Sequence, residues 1–208
     1  MWKSEKLRDF FANYDPTNAN HLLAVDLLQK SAAGFMFDEA AWVRQFREKV
    51  TTELFGTLAV NLIKEFEGFR AEPYLCPAGV WTIGYGSTYY PDGNVITKYD
   101  SPVTNYTASQ MLSHHLQHAI VPELTKTIPT WTTLNNNQKA AIIDFAYNLG
   151  AFFYGGDNFN TISKALSTKE NLKDVPKALM LYVNPGSDFE TGLRRRRQAE
   201  VNLWNKVG

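Results

Sequence analysis

The chain has 208 residues, 44% of them hydrophobic and 20% charged, which supplies enough apolar surface to offset the entropy of folding but is too short for a large multidomain machine. Its 21 Lys plus Arg balance 21 Asp plus Glu, so no global field draws it to nucleic acid or to acidic membranes, and any polyanion contact has to be local. A single cysteine, Cys76, and 4 His without HExxH spacing exclude an intrachain disulfide and a clustered zinc site, so no metal or cofactor is expected.

The start, MWKSEKLRDFF, interleaves charges with apolar residues, and no run approaches the roughly 20 apolar residues that a membrane span needs. The expectation is a chain with no export signal or anchor of its own. Over residues 3–14, Leu7, Phe10, Phe11 and Tyr14 share one helical face, and Asp15-Pro16 ends the pattern. A second helix is expected from Asn20 to near Gly34, with Leu22, Leu23, Val25, Leu27 and Leu28, and a third from Asp38 with Ala41, Trp42, Phe46 and Val50. Residues 1–53 thus read as a small helical module, too small for a robust core of its own.

A second domain, residues 54–208, opens with the amphipathic stretch Leu54 to Phe66. The texture then changes: in GFRAEPYLCPAGVWTIGYGSTYYPDGNVIT, Gly and Pro punctuate short runs of Tyr, Val, Trp, Thr and Ile, the pattern of small antiparallel strands with tight turns. Thr107 to Gln110 has the form of a capping box ahead of MLSHHLQHAI, Asn135 to Gln138 precedes the apolar KAAIIDFAYNLG, and a last helix runs through GLRRRRQAEVNLW. The fold class that follows is α+β and mostly helical, with a small antiparallel sheet between helices and the helical module in front.

Glu67 stands where the helical period gives way to the strand period. Packed on one flank and facing a cleft on the other, its carboxyl would be pushed toward the protonated form, as a general acid requires; a merely solvated Glu at a helix end fits the position equally well. The neighbours decide between them. EGFRAEPYLCPAGVWTIGYGST resembles the signature of the phage-type lysozymes, the T4-like endolysin muramidases of glycoside hydrolase family 24. In that family a Glu at the end of a helix is followed after eight residues by Asp or Cys, and after five more by Thr in a TIGYG-like strand. Glu67, Cys76 and Thr82 match both spacings. IIDFAYNLG resembles the family's buried central helix and GLRRRRQAE its C-terminal helix, so the resemblance covers residues 54–208 and not the first fifty or so.

The resemblance implies a lysozyme-like fold and hydrolysis of the β-1,4 bond between N-acetylmuramic acid and N-acetylglucosamine. Glu67 would be the general acid, Cys76 would activate or orient a water on the opposite sugar face, and Thr82 would hold that water, with inversion at the anomeric carbon. It also implies saccharide contacts at Thr88, Tyr147, Asn148 and Thr161. Tyr147, at helical spacing, could equally be a core residue. Two departures stand out. Cys76 replaces the Asp of T4-type enzymes, and a thiol with a reference pKa near 8.5 is mostly neutral at pH 7; a lone Cys is also commonly a small buried hydrophobe. Ser87 in GYGST replaces a His of structural character in many members.

Arg194 to Arg197 form the one dense charge run, but consecutive helical residues point about 100° apart and make no single face. One Arg is therefore expected to turn inward and pair with Glu67, as in the family, and Arg195 is the position assigned. The partner expected is bacterial peptidoglycan, met by a monomer without nucleic acid or stable membrane insertion. Such an endolysin would be made in the host cytoplasm and released to the wall through a separate holin-type protein. Competing expectations are a lytic transglycosylase and a wall-binding module weakened by Cys76.

Overall fold

The computed structural model describes residues 55–206, part of one compact unit spanning 54–208. The helices expected over residues 3–50, and with them the 1–53 module, lie outside the described residues. The first helix, α1, covers residues 55–67 and buries Phe55, Ala59 and Ile63, spaced by four so that they share one face. It stops because Gly68 takes φ 69°, the left-handed conformation that glycine adopts without a Cβ penalty. Glu67 is its last residue.

Two strands follow, β1 (Arg70–Leu75) and β2 (Trp81–Gly84), paired antiparallel with Tyr74 opposite Thr82 and Leu75 opposite Trp81. Their turn is tied by Cys76 N–H donating to Val80 O at 3.0 Å and Gly79 N–H donating to Cys76 O at 2.8 Å. Ile83, Ile96 and Met111 form a small core under the sheet. Gly84 is pressed so close to the next helix that a Cβ there would lie 2.8 Å from the Ala108 methyl.

That helix, α2 (Asn105–His115), begins earlier than the Thr107 to Gln110 box suggests. Thr104 is the cap, its hydroxyl accepting the Thr107 N–H at 3.0 Å, and this satisfies one of the orphan amides of the first turn. One π turn, Leu116–Ile120, joins it to α3 (Val121–Thr127). The turn sits just before Pro122, whose missing N–H breaks the regular ladder.

The central helix α4 (Asn136–Leu149) starts at the Asn135 to Gln138 segment, where Asn135 and Gln138 form a full capping box. Residues 140–146 are all buried, which requires contacts all round the helix. Short helices α5 (Asn160–Ala165) and α6 (Val175–Leu179) close one side, and α7 (Glu190–Trp204) packs along α4. Phe145 is the hub of this lobe, with edge-on contacts to Phe153 at 5.0 Å and Tyr182 at 5.1 Å between ring centroids. Burial of one such ring contributes roughly 1.5–3 kcal/mol, and edge geometry adds to it. The α+β, mostly helical architecture with one two-stranded sheet is as expected.

Candidate active site

Where α1 ends, the β2 turn and α4 converge on a cleft of about 290 Å³ lined by Glu67, Gly86, Ser87, Thr88, Tyr89, His115, Tyr147 and Asn148. The Glu67 side chain is 27% exposed, reaching solvent on the cleft side. It is held by the expected ion pair, with Arg196 Nη1 donating to Glu67 Oε1 at 2.7 Å. The close fit depends on Gly86: its φ is 94°, and a Cβ there would stand 3.0 Å from the Tyr147 hydroxyl and 3.9 Å from Glu67 Oε2.

The pairing residue is thus Arg196 and not Arg195. The buried positions of α7 are Arg196, Arg197, Glu200, Leu203 and Trp204, a stripe with helical period that faces α4. Arg195 falls about 100° off that stripe, is exposed, and lies over the Phe66 ring at 5.2 Å. Continuing the Leu203-Trp204 stripe back by turns of the helix would have found Arg196 and Arg197 in the sequence.

Behind the ion pair lies a layer of buried charge. Arg196 Nε and Nη2 donate to Asp144 Oδ2 and Oδ1, both at 2.9 Å, and Asp144 is fully buried on α4. Burial works against the Arg196 charge, yet the Asp144 and Glu67 carboxyl groups outweigh it and hold the guanidinium more basic than usual. Arg197 Nη2 donates to Asn148 Oδ1 at 2.8 Å and lies 2.8 Å from Glu200 Oε1. Burial drives the Glu200 carboxyl well above the ordinary carboxylate range. Asp144 is the residue that sequence reasoning missed; its signal is one acid inside an otherwise apolar helix, which must be paired if buried.

Cys76 and Thr82 come together at the β1–β2 turn. Thr82 is buried and its hydroxyl donates to Val80 O at 3.0 Å, while Cys76 is half-buried. The Val80 backbone amide lowers the Cys76 thiol below its usual value; the Ala78 amide and the Thr82 hydroxyl add smaller effects, opposed by desolvation. Neither residue lines the cleft with Glu67. Among the assigned saccharide contacts, Thr88, Tyr147 and Asn148 are brought to it. Tyr147 is anchored by donating to Tyr85 O at 2.7 Å, and burial, aided by the Glu67 charge, keeps its hydroxyl protonated. Thr161 is not brought there. It sits on α5 and lines a separate cavity with Lys164, Ala165, Asn171, Asp174 and Ala178, because α5 turns that face toward α6 and the helical turn before it.

Tyr89 and His115 complete the wall opposite. The Tyr89 hydroxyl is hydrogen-bonded to His115 Nδ1, and the imidazole packs edge-on against both Tyr89 and Tyr147. Burial, then the neighbouring His114, lowers His115 below its ordinary 6.5. The folded state therefore prefers neutral imidazole. Its stabilising share is complete above about pH 6.5 and is lost as pH falls through the folded value. Melting curves should accordingly show a smaller stability difference between pH 7.5 and pH 5 for His115→Gln than for the parent; an equal difference would remove His115 from the acid response.

Among the described residues, no group of three or more His, Cys, Asp or Glu side chains could hold a metal ion, and no helix is long and apolar enough to cross a membrane. Residues 64–200, more than half of the chain, match the family model of phage lysozyme. The chain belongs to the phage lysozyme family. An endolysin of Lactococcus phage c2 is 32% identical over 149 residues, 71% of this chain and 58% of the relative, so the chain spans less than two thirds of that curated relative's length. The muramidase domain of SpmX from Asticaccaulis excentricus superimposes with a TM-score of 0.57 at 27% identity, covering 72% of this chain and 95% of that domain. A P22 lysozyme variant gives a TM-score of 0.58 at 25% identity, covering 71% and 95%. The mostly helical lysozyme-like fold with its small sheet is common to them.

Proposed function

We propose that this phage lysozyme family member is an endolysin that hydrolyses the β-1,4 bond between N-acetylmuramic acid and N-acetylglucosamine in bacterial peptidoglycan. The observation that carries the proposal is Glu67, at the end of α1, presented to a polar and aromatic cleft in the family's spacing from Cys76 and Thr82. Glu67 protonates the glycosidic oxygen, and the Cys76-Thr82 pair orients a water for attack from the opposite face with inversion. Polar groups of Thr88 and Asn148 beside the ring of Tyr147 suit the amphipathic faces of a saccharide. Mass analysis of fragments released from purified sacculi tests the assignment: hydrolysis yields reducing ends that carry one added water, whereas anhydro-sugar ends would reject it in favour of a transglycosylase.

Cys76 is expected to participate as an ionisable group. The acidic limb of the pH–rate profile should then lie above that of Cys76→Asp, because the reference values of the two groups differ by about 4.6 units, a gap narrowed by the downward shift of this thiol. Cys76→Asp should remain active. A Cys76→Ala enzyme with full activity and an unchanged profile would reduce the catalytic set to Glu67 and Thr82.

Residues 1–53 form a separate wall-binding module in this proposal, since the catalytic signature is complete from residue 54 onward. Deleting residues 1–50 should leave cleavage of small soluble glycans intact and weaken co-sedimentation with sacculi; equal co-sedimentation would end the binding role. The enzyme acts as a monomer, without nucleic acid, and reaches the wall from the host cytoplasm through a separate holin-type protein.

A further inference from the structure

Arg196 is shared between two carboxyl groups. Three of its five N–H donors are committed: Nε and Nη2 to Asp144, and Nη1 to Glu67. The Asp144 pair is the fork-to-fork geometry that fixes a guanidinium in its plane, and both partners are buried, the Arg196 side chain at 6% and Asp144 at 0% exposure. The Glu67 contact is single and at the rim. A cation close to a carboxyl favours its charged form, whereas an acid catalyst has to deliver a proton.

We propose that Asp144 is a positioning residue for the general acid: it holds the Arg196 guanidinium in the plane where Nη1 meets Glu67 and offsets its charge, so that Glu67 is oriented without being forced to give up its proton. The inference rests on the general-acid role proposed for Glu67.

The other groups facing these two are Tyr74 on β1, Tyr89 after β2, Tyr147 on α4, His115 on α2, and Arg197 and Glu200 on α7. Burial keeps the three tyrosines protonated and His115 neutral near pH 7, so none of the four carries charge toward the cleft. Burial also favours the neutral form of Glu200, and the Asp144 charge acts on both Arg196 and Arg197. Asp144 is thus the main anion balancing the guanidinium that Glu67 touches. An uncharged amide at the same place keeps one acceptor for the guanidinium, turns an NH2 donor toward its other N–H, and cannot offset its charge.

Asp144→Asn removes the offsetting charge and one of the two holding bonds, and the pH profile distinguishes the two losses. On soluble glycan fragments the full-length variant should move the basic limb of the kcat/KM profile to lower pH by about one unit, a tenfold loss on that limb, with the acidic limb in place and KM within about twofold. Arg196→Gln should move the same limb upward. The double variant Asp144→Asn/Arg196→Gln, which strands no buried charge, should return the limb to within about half a unit of the parent. A limb that stays put in Asp144→Asn while kcat falls equally at every pH would overturn the inference, as would a double variant still displaced by a unit. If Asp144→Asn does not fold, the double variant decides by the same criterion. Activity retained in Glu67→Gln would instead remove the general-acid role itself, which keeps the two failures distinct.

Discussion

Glu67→Gln should lose between about 10²- and 10⁴-fold of its lytic rate, the usual contribution of a positioned general acid, with its melting temperature nearly unchanged. The amide keeps the shape of the carboxyl and can still accept from Arg196 Nη1, so the Arg196-Asp144 fork that ties α7 to α4 is preserved. Loss of a titratable proton is then the change that matters. Rates of turbidity clearing together with circular dichroism check both halves. A folded Glu67→Gln protein that clears cells at the parent rate would refute the assignment.

The second large effect is on stability. Arg196→Gln leaves the fully buried Asp144 without its two charge-assisted hydrogen bonds, and breaking a buried pair from one side costs about 3–5 kcal/mol. For a domain of this size each kcal/mol is worth about 2–4 °C, so a drop on the order of 10 °C is expected by calorimetry. Removing Asp144 and Arg196 together should cost clearly less than the sum of the two single changes, because no unpaired charge is then left inside. Additive losses would show that the two side chains do not interact in the folded state.

Local signals carried most of the fold. The Asn135 to Gln138 segment ahead of α4, the change of period at Glu67 and the Gly-punctuated strands are each decided by a few neighbouring residues, and each is found where the sequence puts it. The start of α2 was harder to read, because Thr104 and Thr107 both suit a cap and only the backbone decides which hydroxyl receives the amide. The register of Glu67, Cys76 and Thr82 is equally local, and so was legible. What else surrounds Glu67 was not. Arg196, Asp144 and His115 come from three helices far apart in the chain, and their convergence depends on how α7 and α2 are rotated about their axes. One residue of rotation separates Arg195 from Arg196, and single-residue phase is what an unbroken run of arginines conceals. Thr161 was assigned to the cleft by resemblance alone and lines a separate cavity; the short α5 offers too few turns for periodicity to have fixed which way it faces.

The ion pair at the cleft joins residues 129 positions apart, from the first described helix of the domain and from its last. During synthesis Glu67 leaves the ribosome long before Arg196 exists, and the residue that clamps it arrives only with α7. At about 5–20 residues per second, several seconds separate the two. A nascent chain that has not yet reached α7 therefore carries the acid without its anchor, and the site assembles only once α7 has been made.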